Sequence, residues 1–118
     1  RKDLHYARRS GRRWVYQGEI GPDINTSGDV QGNPTMDDNG HFYFVDATVP
    51  HMVRQARFRP QTGKLEQVRE FDGLPSRDVR LFKQRFTGNM GVEVSPDGRT
   101  MYFSRATWDL NLWFPGKV

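Results

Sequence analysis

One pattern occurs twice in this chain and constrains its fold more than any other feature. Met36-Asp37-Asp38-Asn39-Gly40-His41-Phe42-Tyr43-Phe44 is matched by Val94-Ser95-Pro96-Asp97-Gly98-Arg99-Thr100-Met101-Tyr102-Phe103. Each copy is a tight turn followed by an aromatic, strand-forming run. Gly40 and Gly98 are 58 residues apart; the Tyr-Phe pairs are 59 apart, and so are Ala47-Thr48 and Ala106-Thr107. One residue beyond the second turn accounts for the slip. Asp38, Asn39 and Gly40 suit a hairpin because Asn and Gly tolerate positive φ. In Ser95-Pro96-Asp97-Gly98, Pro presets φ, Asp bonds the backbone and Gly takes the left-handed position.

The remaining strand signals fall into place around this repeat. Leu4-His5-Tyr6-Ala7 and Trp14-Val15-Tyr16 flank a turn at Arg9-Ser10-Gly11-Arg12. Residues 33–36 form a short strand, with Pro34 at an edge or a strand start because it has no amide donor. His41-Phe42-Tyr43-Phe44-Val45 is almost continuously apolar, which predicts burial on both faces. Residues 53–58 and 65–71 follow as strands. In the second, Leu65, Gln67, Arg69 and Phe71 are expected on one side, and Glu66, Val68 and Glu70 on the other. Segment 76–86 is the helical candidate: Ser76 caps it, Val79, Phe82 and Phe86 recur at helical spacing, and Gly88 ends it. Its alternative is an irregular loop with apolar side chains tucked under the sheet. Residues 90–94 and 100–104 complete the second copy of the repeat, and the segment from Trp108 has no partner strand.

Repeats at this scale are stacked supersecondary units, and units of short strands point to all-β propeller blades. The period exceeds the usual roughly 40–50 residues, and loops 17–31 and 72–88 absorb the excess. Residues 92–104 resemble the WD-repeat-like β-propeller repeat of TolB-type proteins, whose hallmark is Ser-Pro-Asp-Gly followed by an apolar strand ending in Phe-Ser. Residues 32–45 resemble a degenerate copy, departing from it at Asp38 where the family has Pro. Asp3-Leu4-His5-Tyr6-Ala7-Arg8 with Gly11 and Trp14 is similar to the family's third and fourth strands. Asp23-Ile24-Asn25-Thr26 with Gly28-Asp29 is similar to its inter-blade linker. The resemblance implies antiparallel four-stranded blades: the end of one in residues 3–16, a full one in 32–71, and the start of a third in 89–118. Family propellers close with six or seven blades, so this chain reads as a partial propeller. It also implies a bacterial periplasmic or envelope setting.

Composition narrows the functional classes. The net charge of +4 is concentrated: residues 1–13 hold six basic residues and one acidic, and the remainder holds 12 and 13. A nucleic-acid binder more often shows a continuous basic face, so nucleic acid is not the expected partner. Binding through residues 1–13 is kept as an alternative that predicts steep salt dependence. No stretch approaches the roughly 20 apolar residues of a membrane-spanning helix. With no cysteine, disulfides, thiolate metal sites and cysteine nucleophiles are excluded. The chain starts at Arg1 without a signal peptide, as expected of a processed or truncated piece.

Chemistry-bearing residues are sparse. His5, His41 and His51 lack metal-ligand spacing. Asp37, Asn39 and Asp46 match part of a calcium-loop count, but position 1 is not acidic and the turn reading prevails. No serine lies in a nucleophile elbow. No cofactor and no metal are expected. The candidate ligand-binding residues are Glu93 and Asn89 on an inner strand, and Arg105, Trp108 and Asp109 beside the channel mouth. For Glu93 the competing reading is an ion pair with a nearby arginine. Trp14, Trp108 and Trp113 read as blade-to-blade packing or as ligand platforms. The expected function is non-catalytic binding of a protein, peptide or glycan, with self-association through open sheet edges. The enzymatic alternative is a section of a propeller hydrolase or lyase acting on carbohydrate through Glu93, His41 or Asp46.

Overall fold

A computed structural model describes residues 4–20, 31–82 and 84–109. These residues form nine strands and no helix. Strands β1 (His5–Ser10) and β2 (Arg13–Glu19) make a hairpin. Strands β3 (Gln31–Met36), β4 (His41–Asp46), β5 (Val53–Arg59) and β6 (Lys64–Glu70) make a four-stranded meander. Strands β7 (Asp78–Arg80), β8 (Arg85–Val94) and β9 (Met101–Asp109) make a third sheet. All pairings are antiparallel.

The sheets stack face to face with the meander in the middle. On one side of it Phe42, Phe44 and Ala56 pack with Leu4 and Ile20, and Tyr6, Phe58, Leu65 and Val68 close the layer. On the other side Val45 and Val53 pack with Leu74 and Val92, flanked by Tyr43, Phe71 and Met101. Alternation along β4 therefore sends side chains into two separate cores. This is the two-sided burial expected of 41–45, and Phe44 and Val53 are fully buried.

The two copies of the repeated turn meet. The Asp38 amide donates to the Pro96 carbonyl at 2.8 Å. Gly98 has φ +74°, and a Cβ there would overlap the Asp37 carboxylate, so close approach and backbone conformation both require glycine. Within the turns, Asp37 Oδ1 accepts the amides of Asn39 and His41, both at 2.9 Å. Ser95 Oγ accepts the Thr100 amide at 3.0 Å, and Asp97 Oδ1 accepts from the Ser95 hydroxyl and the Arg99 amide. Asp38, Asn39, Gly40, Pro96 and Gly98 thus form two hairpin turns, as their composition implied.

Three expectations need correction. Segment 76–86 is not a helix: β7 pairs with the start of β8, Val79 opposite Phe86. Val79, Leu81 and Phe82 are exposed, so the apolar stripe of the expected helix meets no core among the described residues. Strand pairing satisfies the backbone instead. The segment at Trp108 does have a partner, because β9 continues past residue 104 and sets Trp108 opposite Phe86. In β6, Leu65 and Val68 share the buried side. The register slips between Gln55↔Arg69 and Arg57↔Glu66, and Gln67 takes φ +54°. One extra residue in β6 rotates the alternation by one step.

Candidate functional site

The residues singled out from sequence do not converge on one site. Asn89 and Arg105 stand opposite each other on β8 and β9. Asn89 is fully buried. Its Nδ2 donates to the His51 and Pro75 carbonyls at 2.8 and 2.9 Å, and its Oδ1 accepts from Arg105 Nη1 at 2.9 Å. Arg105 also donates to the carbonyls of Pro75 and Ser76, both at 3.1 Å. Alongside, His51 Nδ1 donates to the Leu74 carbonyl at 2.8 Å, and Arg77 Nη1 to the Ala47 carbonyl at 2.8 Å. These bonds hold residues 74–77 against the β4–β5 loop and sheet three. Asn89 has both amide hydrogens engaged.

Glu93 is exposed, faces Tyr102 across the ladder and has no ion-pair partner among the described residues. Asp109 pairs with Arg85 in the ladder at the far end of β9. Seven residues of strand separate Tyr102 from Asp109, or about 24 Å at ~3.4 Å per residue, so Glu93 and Asp109 cannot touch one small ligand. Trp108 is half-buried, its ring 5.2 Å from that of Phe86. Trp113 and the linker-like residues 23–29 lie outside the described residues.

Asp37 lies in the turn that precedes β4 and Asp46 is the last residue of β4, so the two do not share a loop. Asp46 Oδ1 accepts the Thr48 amide and hydroxyl at 2.9 and 2.6 Å, and Arg54 Nε lies 2.7 Å from its Oδ2. Among the described residues no three His, Asp or Glu side chains are grouped to hold a metal ion.

Asp37 is buried, and His41 Nδ1 donates to its Oδ2 at 2.8 Å. Burial works to raise its pKa. Hydrogen bonds from the His41 amide, the His41 ring and the Asn39 amide outweigh it, and the carboxyl stays below its ordinary 3.8. Both carboxylate oxygens are used in holding the turn.

A cleft missed at the level of sequence lies between the first two sheets, at the end where their hairpin turns gather. Its inner part is an apolar pocket of about 350 Å3 lined by Tyr6, Ile20, Met36, Phe42 and Phe58, with Arg8 at its side. Beside it lies a more polar recess of about 540 Å3 between the Asp37–Gly40 turn and Arg59-Pro60-Gln61. Met36, Phe58 and Pro60 line both parts. Arg8 donates from Nη2 to the Pro60 carbonyl and so bridges the sheets. Arg59 Nε binds Glu66 Oε2 at 2.8 Å. A guanidinium has five donors, so both arginines keep donors for a ligand. The legible signal was Tyr6 and Arg8 on the same side of one strand.

Comparison with protein families, with curated proteins and with solved structures returns no match.

Proposed function

We propose that the three sheets are consecutive blades, two of them partial, of a TolB-like β-propeller, and that the chain is a non-catalytic binding module. Supporting this reading, β3 and β8, the strands that lead into the two repeated turns, lie side by side. Asn33 Nδ2 donates to the Met90 carbonyl at 2.7 Å, and the Val94 amide donates to Thr35 Oγ1 at 3.0 Å. The observation that carries the binding function is the cleft, an apolar pocket opening next to two arginines. Such a site suits a peptide that buries one large apolar side chain and places acidic neighbours beside Arg8 and Arg59.

The test is a titration of two blocked pentapeptides, Asp-Asp-Phe-Asp-Asp and Lys-Lys-Phe-Lys-Lys, followed by the Met36 methyl resonance. The acidic peptide is expected to give a saturable shift that Arg8→Glu weakens about tenfold, a loss of ~1.4 kcal/mol. No saturable shift up to about 1 mM, weaker than ~4 kcal/mol of binding, overturns the reading.

A further inference from the structure

The hairpins β1–β2 and β8–β9 of the outer sheets correspond to complementary halves of the middle one. In β3 the register slips between Gly32↔Val45 and Thr35↔Tyr43, with Asn33 at φ +49°. In β8 it slips between Asn89↔Arg105 and Gly91↔Ser104. The bulge of β8 lies 56–57 residues after that of β3, one or two residues short of the repeat, so β8–β9 reproduces β3–β4 in its turn and its aromatic strand and carries its bulge slightly farther from the turn. The first hairpin reproduces β5–β6 in the same way. Leu4-His5-Tyr6-Ala7-Arg8 parallels Val53-Arg54-Gln55-Ala56-Arg57. The register slips between Tyr6↔Gly18 and Ala7↔Tyr16, as it does around Ala56. Leu4 and Val53 are both buried toward the next sheet. The described strands thus run as second half, whole unit, first half.

We infer that β9 of one copy pairs with β1 of a second copy, so that β8, β9, β1 and β2 make a four-stranded blade between chains, with the short β7 flanking only the first residues of β8. The inference rests on the blade reading above. It carries a register. Transposing the β4–β5 ladder, in which Phe42 faces Ala56 and Phe44 faces Arg54, sets Met101 opposite Ala7 and Phe103 opposite His5 of the second copy. Antiparallel pairing then covers the edges of β9 and β1 that no strand pairs among the described residues. The faces agree as well. Ala7, Arg9, Trp14 and Tyr16 share the outer face of the first hairpin, where Trp14 is 70% and Tyr16 65% exposed. In the composite blade they come against the far side of the middle sheet, where His41, Gln55, Arg57, Gln67 and Arg69 line a small polar pocket. Arg57 and Arg69 have no ion-pair partner among the described residues, and an arginine over a tryptophan or tyrosine ring is a favourable contact. The contact is head-to-tail, and blades stacked about one axis, as the blade reading has them, make its repetition close a ring rather than extend a filament. Eight of the nine described strands of each copy, all but β7, then fall into two blades' worth, and three copies give six blades.

The solution mass of the chain and engineered cross-links test this together, on a background free of native cysteine. The expected mass is three times the 13.7 kDa of one chain. The double variant His5→Cys/Phe103→Cys is expected to oxidise into covalent trimers, while the off-register His5→Cys/Thr107→Cys, at an exposed position farther along β9, is not. Both residues of the first pair are exposed, so folding is spared. A monomer, or cross-linking indifferent to register, overturns the inference. Hydrogen exchange distinguishes that failure from failure of the blade reading. A monomer whose Asp38 and Val94 amides stay protected keeps its sheets stacked, and one in which they exchange freely does not.

Discussion

At the scale of single residues, Asp37 does more than its place in a turn suggested. It accepts two amides and an imidazole while buried, and the turn around it supports Pro96 and Gly98 of the other repeat. Because its folded pKa lies below 3.8, the unfolded chain binds this proton more tightly. Its stabilising contribution is therefore complete above the unfolded value and is lost as pH falls through the folded one. Asp37→Asn is expected to lower stability at about pH 7 and to differ less from the parent at about pH 3. Urea unfolding at the two values checks this; a gap that widens in acid contradicts the assignment. That Asp37 belongs to a turn was legible from Asp-Asp-Asn-Gly. Its contact with Gly98 was not, because it joins positions 61 residues apart.

At the scale of elements, the bulges decide which side chains reach the cores. Strict alternation separates Leu65 from Val68, and the extra residue in β6 puts them together. A bulge leaves little trace in composition when, as here, Gln rather than Gly holds the left-handed φ. That conformation costs a non-glycine residue roughly 1–2 kcal/mol, and glycine returns part of the gain as unfolded-state entropy. Gln67→Gly is expected to stabilise the chain by about 0.5 kcal/mol, whereas Gln67→Val destabilises it by ~1 kcal/mol or more. Shifted urea midpoints at unchanged slope read the difference; equal midpoints would show that Gln67 is unstrained. Segment 76–86 fails as a helix for the converse reason. Its spacing is helical, but Leu81 and Phe82 stay exposed and join neither apolar core.

At the scale of the whole molecule, two kinds of junction join the sheets: layers of apolar side chains and a few buried polar bonds. Asn89 is the most enclosed of the latter and ties sheet three to two loops of the middle sheet. Asn89→Ala leaves two carbonyls and Arg105 short of a partner, at a cost of about 2–3 kcal/mol. Thr107→Ala, on an exposed part of the same sheet, is expected to cost about 0.5 kcal/mol or less. Equal losses in thermal melts would argue against a special place for Asn89.

The sequence by itself determined the all-β class, the two repeat turns, the doubly buried strand at 41–45 and most strand positions. Each of these depends on neighbours in the chain, through turn conformations and the alternation of side chains along a strand. Tertiary structure alone decided where the bulges fall, that Trp108 has a partner, that Asn89 is a joint rather than part of a pocket with Glu93, and that a cleft opens between Tyr6, Met36 and Phe58. These depend on which surfaces meet across long sequence separations, and burial, not local propensity, selects among them.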